Sequence, residues 1–183
     1  MSKNKRIAWG ITGSGDKIRE SVTLMKELAR KYNLEVHVYL SREGEVVLKF
    51  YKLLDEIKAS FPKVALEKGP NAPFLSGKLQ VGRYSLFVIA PATANTVAKI
   101  AYGIADTLIT NSVAQAVKGD VPVYIFPVDQ TEGELITKLH DGRDLKLRIR
   151  RIDVENVERL RRMEGITVLS QLEELEDVVR KLD

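Results

Sequence analysis

The chain has no cysteine, two histidines and one tryptophan among its 183 residues. Without cysteine there are no disulfides, no thiolate nucleophile and no cysteine-ligated iron–sulfur or structural zinc site. His37 and His140 lie far apart in sequence. The first falls in a predicted strand, where a packed or half-exposed ring is expected, and the second in a polar loop, where solvation is expected; neither arrangement makes a histidine metal site or a Ser/His triad. No apolar run reaches membrane-spanning length. The opening residues pass from a short basic lead into strand-like sequence without a signal-peptide cleavage pattern, so a cytoplasmic protein is expected. Charge of one sign is not in large excess: 29 Lys and Arg stand against 25 Asp and Glu, a formal +4. Mixed signs over residues 52–58 and 173–181 have the pattern of solvated helix faces. That balance does not make the chain a nucleic-acid binder.

What is present is a composition of 44% hydrophobic and 30% charged residues, that of a globular protein long enough for one sizeable core. No repeat, low-complexity segment or flexible linker divides the chain, and a single domain over residues 1–183 is expected. Its centre is the stretch 86–111, LFVIAPATANTVAKIAYGIADTLITN. Residues 86–90 form an unbroken apolar run that fits a strand buried on both faces, stopped by Pro91. Ala92, Thr93, Ala94, Asn95 and Thr96 are small or short and polar. They let backbone come close to a flat ligand while hydroxyl and amide groups direct hydrogen bonds. The same pattern equally describes an ordinary loop in which Thr93 or Asn95 caps the next helix.

Before this centre, residues 5–12 predict a strand that runs into Gly10, Thr12, Gly13, Ser14 and Gly15. A helix over 17–32 follows, with Val22, Met25, Leu28 and Ala29 on its buried stripe. A strand, a Gly/Ser/Thr turn and a helix start together make an anion site from free backbone N–H groups. The G-x-x-G-x-G spacing matches neither the dinucleotide fingerprint nor the P-loop. The second strand, 34–40, ends in Ser41 and Arg42 where a ribose of NAD would need an acid. A single phosphate fits better than a dinucleotide; the structural alternative is a tight strand-to-helix connection. A second helix is predicted over 43–60, a short strand over 63–67 and an irregular connection over 68–83, rich in Gly and Pro, that could cover a site or form a subunit contact. A helix over 112–118 and a strand over 121–126 come after the centre. Since ligands of an open parallel sheet bind beyond the carboxyl ends of its strands, the segments 10–14, 41, 91–96 and 127–130 are expected to form one site.

In the tail, Leu145, Leu147 and Ile149 alternate with Lys146, Arg148 and Arg150, as in a strand with one wet face. Asp153 is placed to cap a helix through Met163, and a strand over 166–169 and a helix over 171–182 close the chain. Residues 143–162 hold eight Arg or Lys against four Asp or Glu. With no aromatic residue interleaved for base stacking, a solvated face is favoured over a nucleic-acid surface; docking of an acidic protein is the third reading.

The segment PATANTVAKIAYGIADTLIT, residues 91–110, resembles the signature of the flavoprotein superfamily that includes phosphopantothenoylcysteine decarboxylase, peptide cysteine decarboxylases and flavin prenyltransferase. It is accompanied by GITGSG at the first turn and by Ser41, and the likeness spans residues 5–130. The resemblance implies an α/β, Rossmann-like flavodoxin-type three-layer sandwich with a mostly parallel central sheet, binding FMN, with residues 143–183 as a C-terminal extension. By the resemblance, Gly10, Thr12, Gly13, Ser14 and Ser41 hold the phosphate. Pro91, Thr93, Ala94, Asn95 and Thr96 lie along the ribityl chain and ring, and Thr110, Asn111 and Ser112 approach from a neighbouring loop. It also implies a homo-oligomer built from trimers.

Departures from the family pattern bear on the reaction. The position of the decarboxylases' catalytic histidine is Gly77, and their Pro-x-Met-Asn clamp is replaced by Pro127, Val128, Asp129 and Gln130. The Arg-Glu pair of the prenyltransferases has no counterpart in 126–130. What remains is similar to the archaeal redox branch, the archaeoflavoproteins and dihydromethanopterin reductase-like proteins. The resemblance thus implies an FMN protein passing electrons from a low-potential donor such as ferredoxin, with the basic segment 143–162 as docking surface. Its alternatives are an FMN-dependent dihydropterin reductase and, less favoured, a cysteine-derivative decarboxylase. No side-chain acid or base is required by the redox readings.

Overall fold

The structure, a computed structural model, describes residues 5–182; the basic lead of residues 1–4 lies outside the described residues. Eight strands occur among them: β1 (Arg6–Ile11), β2 (Glu35–Leu40), β3 (Lys63–Leu66), β4 (Leu86–Ala92), β5 (Val123–Pro127), β6 (Gly133–Lys138), β7 (Asp144–Ile149) and β8 (Ile166–Val168). Six of them make one sheet in the order β3-β2-β1-β4-β5-β8, every neighbouring pair parallel. β6 and β7 form a separate antiparallel hairpin. Against one face pack α1 (Ile18–Lys31), α2 (Arg42–Phe50), α3 (Leu54–Ser60) and α8 (Glu174–Arg180); against the other pack α4 (Ser76–Gln80), α5 (Ala94–Ala101), α6 (Leu108–Lys118) and α7 (Arg151–Arg161). This is the three-layer α/β sandwich that the sequence predicts.

The central strands explain their own composition. β1 sends Ile7, Trp9 and Ile11 into one core and Ala8 into the other, while β4 divides Leu86, Val88 and Ala90 from Phe87, Ile89 and Ala92. A strand with helices on both faces has no wet side, so beyond Arg6 at the start of β1 these positions carry apolar side chains or glycine. β4 does not stop at Pro91: the Ala90–Pro91 peptide is cis, the strand runs to Ala92, and its register with β5 shifts between Ile89 and Ala92. Trp9 is wholly buried, donating Nε1–H to the Ala90 carbonyl at 2.8 Å.

Other boundaries differ from the sequence reading for local reasons. The helix predicted over 43–60 is two helices, broken where Lys52 adopts φ +59. The apolar period survives the break because Leu48, Leu54 and Ile57 all enter the same core. The irregular segment 68–83 contains α4, and α6 begins at Leu108 because Thr107 and Thr110 close a reciprocal capping box there. β6 escaped prediction because its residues are mostly exposed and, unlike those of β7, do not alternate apolar with charged side chains. Asp153 is not the cap of α7; it lies in the first turn and pairs with the preceding Arg150 at 2.7 Å. β8 is the sixth strand of the sheet, and Leu175 and Val179 of α8 enter the core of α1, so much of the C-terminal stretch is built into the sandwich.

Candidate functional site

Beyond the carboxyl ends of β1 to β4 opens a cavity of about 450 Å³, within the usual range of roughly 300–1,000 Å³ for small-molecule sites. Three helices start in its wall, each behind a hydroxyl cap. Ser41 caps α2, accepting from Gly44 N–H at 2.9 Å; Thr93 caps α5, accepting from Thr96 N–H at 3.3 Å; Thr107 caps α6, accepting from Thr110 N–H at 3.2 Å. First-turn N–H groups have no partner inside their own helix and carry the positive end of its dipole, so three convergent starts favour an anionic or acceptor-rich ligand. The β1 turn is tied to this wall by Thr12, a residue type that can donate and accept at once. Its buried hydroxyl donates to the Pro91 carbonyl at 2.8 Å and accepts from Thr93 N–H at 2.9 Å. The approach of α2 to this turn tolerates no side chain at Gly44, where a Cβ would lie 2.4 Å from the Ile11 carbonyl oxygen.

Of the residues singled out from sequence, Thr12, Gly13, Ser41, Thr93, Asn95 and Thr96 line the cavity. Gly10 lies within β1 beside Tyr39 and Ile89, Pro91 is in β4, and Ala94 opens α5. Ser14 is buried and turned to the Asp16 carbonyl at 3.1 Å. Thr110, Asn111 and Ser112 are not in a loop as expected but in α6. Thr110 completes the capping box, and Ser112 is wholly buried with a hydroxyl that has no partner among the described residues. Asn111 donates Nδ2–H to the Pro70 carbonyl at 3.0 Å and to Asn71 Oδ1 at 2.9 Å, holding on α6 the loop whose Gly69 and Pro70 form part of the wall.

The segment 127–130 does not join this cavity. Pro127, Val128 and Gln130 line a smaller cleft with Asp16, Lys17 and the foot of the hairpin, where Gln130 donates to the Pro127 and Leu169 carbonyls at 2.9 Å. The reason is topological: β5 lies one strand further along the sheet, and the hairpin leaves directly after it. Asp129 is held above the usual carboxyl range, first by burial and then by Asp153 and Asp16. A larger groove, about 730 Å³, runs along α7 between Arg151, Glu155, Glu158, Arg159 and Arg162; α7 itself starts in its wall at Arg151, but behind no hydroxyl cap, and the surface is of mixed charge. The aromatics stand away from the cavity lining too. Trp9 is core, Tyr84 is buried against Tyr39 and His37, and Tyr102 is exposed beneath Arg159. His37 bonds Tyr84 and Glu35, and His140 is exposed as expected, its ring resting on exposed Phe50 with centroids 3.9 Å apart.

Glu67, given no role by the sequence reading beyond ending a strand, is the main addition. Its buried carboxylate accepts from Arg42 N–H at 3.2 Å and Leu108 N–H at 2.9 Å, the first N–H groups of α2 and α6. Only an acid directly after β3 signalled it. Asp106, also in the lining, is paired with Lys99 at 2.8 Å, and that hydrogen bond holds its pKa below the ordinary value. Arg42 is the one cation of the lining, beside Glu43, Glu67 and Asp106.

The family model described as Flavoprotein matches residues 1–182. The chain belongs to the flavoprotein family. An uncharacterised protein of Methanocaldococcus jannaschii is 59% identical over 96% of this chain and 95% of its own length. Dihydromethanopterin reductase (acceptor) of Methanosarcina mazei is 44% identical over 78% of this chain and 62% of that protein, so the match spans less than two thirds of that relative. Among solved structures, DmrB of Burkholderia xenovorans in complex with FMN, described as a cubic protein cage for redox transfer, superposes with a TM-score of 0.84 at 36% identity, over 99% of this chain and 96% of that one. The flavoprotein match takes in the hairpin and α7 as well as the cavity.

Proposed function

We propose that this flavoprotein binds FMN in the cavity at the ends of β1 to β4 and is an FMN-dependent reductase of a dihydropterin. The observation that carries the reaction class is the 44% identity to dihydromethanopterin reductase. The cavity fits the cofactor by its donor set: Gly13 offers a phosphate its backbone N–H and Ser41 its hydroxyl proton, with Thr12, Gly10 and Ser14 building the turn that holds them. Pro91, Thr93, Ala94, Asn95 and Thr96 serve the ribityl chain and ring, and Thr110, Asn111 and Ser112 support that wall from α6. When bound, FMN supplies the electron chemistry; the chain supplies orientation and the field. A decarboxylase reading has little support here, because Gly77, where that histidine would stand, is overlaid by Phe74, whose ring lies 2.1 Å from where a Cβ would be. In our reading residues 1–183 act as one cytoplasmic domain assembling into trimer-based homo-oligomers, with exposed Phe74, Val81, Tyr102 and Ile104 available for contacts between copies.

The electron donor in this reading is an acidic low-potential protein such as ferredoxin. Most cations of the segment 143–162 are already paired, Arg150 with Asp153 and Arg151 with Glu155 among them. Arg148, Arg159 and Arg162 form no ion pair among the described residues, and they are the ones left for docking. The deciding experiment is anaerobic: the protein is loaded with FMN, reduced chemically, and mixed with a dihydropterin. Flavin reoxidation with formation of the tetrahydropterin is expected. A protein that binds FMN but whose reduced flavin is untouched by any dihydropterin leaves electron transfer alone as the function. One that takes up no FMN ends both readings.

A further inference from the structure

Glu67 occupies an unusual place. It is 8% exposed, it lines the cavity, and each of its two carboxylate oxygens accepts the first N–H of a different helix in the cavity wall. Arg42 reaches past it to the Lys68 carbonyl at 3.4 Å, and neither Arg42 nor any other cation forms an ion pair with the carboxylate among the described residues. Its negative charge is therefore met by backbone dipoles alone, which offset a charge but do not cancel it. Those dipoles are the ones that would otherwise have favoured electron density on a ligand in the cavity.

We propose that Glu67 is a positioning residue that also sets the redox potential of the site. It locks α2 to α6 across the cavity and presents a fixed negative charge to it, making a bound FMN harder to reduce and its reduced form a stronger donor. The inference rests on the FMN reading above. A carboxylate at this wall disfavours each added electron by simple repulsion. The strength of a low-potential donor is thus built into the end of β3.

The test is a spectroelectrochemical titration of the FMN-loaded full chain, wild type beside Glu67→Gln and Glu67→Asp. Glu67→Gln removes the charge at nearly constant shape. At a fixed reducing poise the ratio of reduced to oxidised flavin is expected to rise at least tenfold, about 30 mV for a two-electron couple. Glu67→Asp keeps the charge but cannot span both N–H groups, so it is expected to lower thermal stability while leaving the potential near that of wild type. A purely structural role would loosen FMN in both variants and move the potential in neither. Unchanged potential in Glu67→Gln with FMN bound overturns the proposal. Should that variant fail to fold, the wild type decides alone: a bound-FMN potential at or above that of free FMN overturns it, and one below supports it. Failure of the wild type to take up FMN is a separate outcome, which removes the cofactor reading itself.

Discussion

The two sides of the crevice at the carboxyl edge of the sheet are built on different principles. On the β1 to β4 side, helix starts, capped hydroxyls and close glycines fix the backbone, and Thr12, Ser41, Thr93 and Glu67 each satisfy specific N–H groups. On the β5 side, the hairpin and α7 present exposed side chains joined by surface ion pairs, such as Lys146 with Glu134 at 2.8 Å, both side chains more than 60% exposed. A cofactor is served by the first kind of wall, whose backbone is fixed by hydrogen bonds within the protein itself. A transient partner can use the second, where charge steers encounter and little is fixed. The comparison is open to attack by substitutions on each side.

The harshest is Gly44→Ala. Its Cβ would meet a backbone oxygen of β1, which has no rotamer by which to yield. A loss of about 3 kcal/mol in urea unfolding is expected, the upper range of overpacking, with loss of FMN retention. A variant of full stability would mean that α2 is not pressed on β1 as described. Thr12→Val comes next. It strands the Thr93 N–H and leaves the Pro91 carbonyl only the long 3.4 Å bond from the residue 12 backbone N–H, a cost of about 1–3 kcal/mol, and FMN affinity should fall with it because the β4–α5 turn loses its tie.

The difference between the two sides also explains what could be read from sequence. The buried run of β4 and the small residues after it were visible because strands covered on both faces and backbone-built sites leave a strong compositional trace. Gly13, Ser41 and Thr93 were found for the same reason. β6 was not, since its exposed side chains obey no core. Nor was the gap between the cavity and residues 127–130, because strand order alone says which ends are neighbours, not which way a following hairpin departs. Glu67 was missed for a third reason: its partners are N–H groups of residues 42 and 108, contacts that appear only when the chain is folded. Asn111 was placed at the site, but its task of holding the 69–72 loop was not legible.

Breaking that latch is a milder test. Asn111→Ala is expected to leave unfolding within about 1 kcal/mol, as for an exposed hydrogen bond, yet to speed FMN release several-fold in stopped-flow fluorescence, since the loop contributes Gly69 and Pro70 to the wall. An unchanged release rate would show that the loop does not retain the cofactor. On the hairpin side, Lys146→Ala should change stability by less than about 0.5 kcal/mol, the ordinary yield of an exposed pair, and leave FMN affinity alone. A drop comparable with that of Thr12→Val would erase the distinction between the two sides.

The smallest expected effect is at Asp129, and its sign is the informative part. Burial beside Asp153 and Asp16 raises its carboxyl pKa in the folded state. The ionised form is therefore held less well in the fold than in the unfolded chain, and the folded state binds the proton more tightly. The penalty is fully present above the raised folded pKa and disappears as pH falls below the unfolded value, about 3.9. Asp129→Asn should consequently stabilise the protein slightly at neutral pH, and the advantage should shrink to nothing in acid. Paired denaturation midpoints across pH 3.5 to 7 measure it. A variant less stable than wild type at pH 7 would mean that the ionised carboxylate has a partner in the fold, and the β5 side would then be as deliberately wired as the cavity.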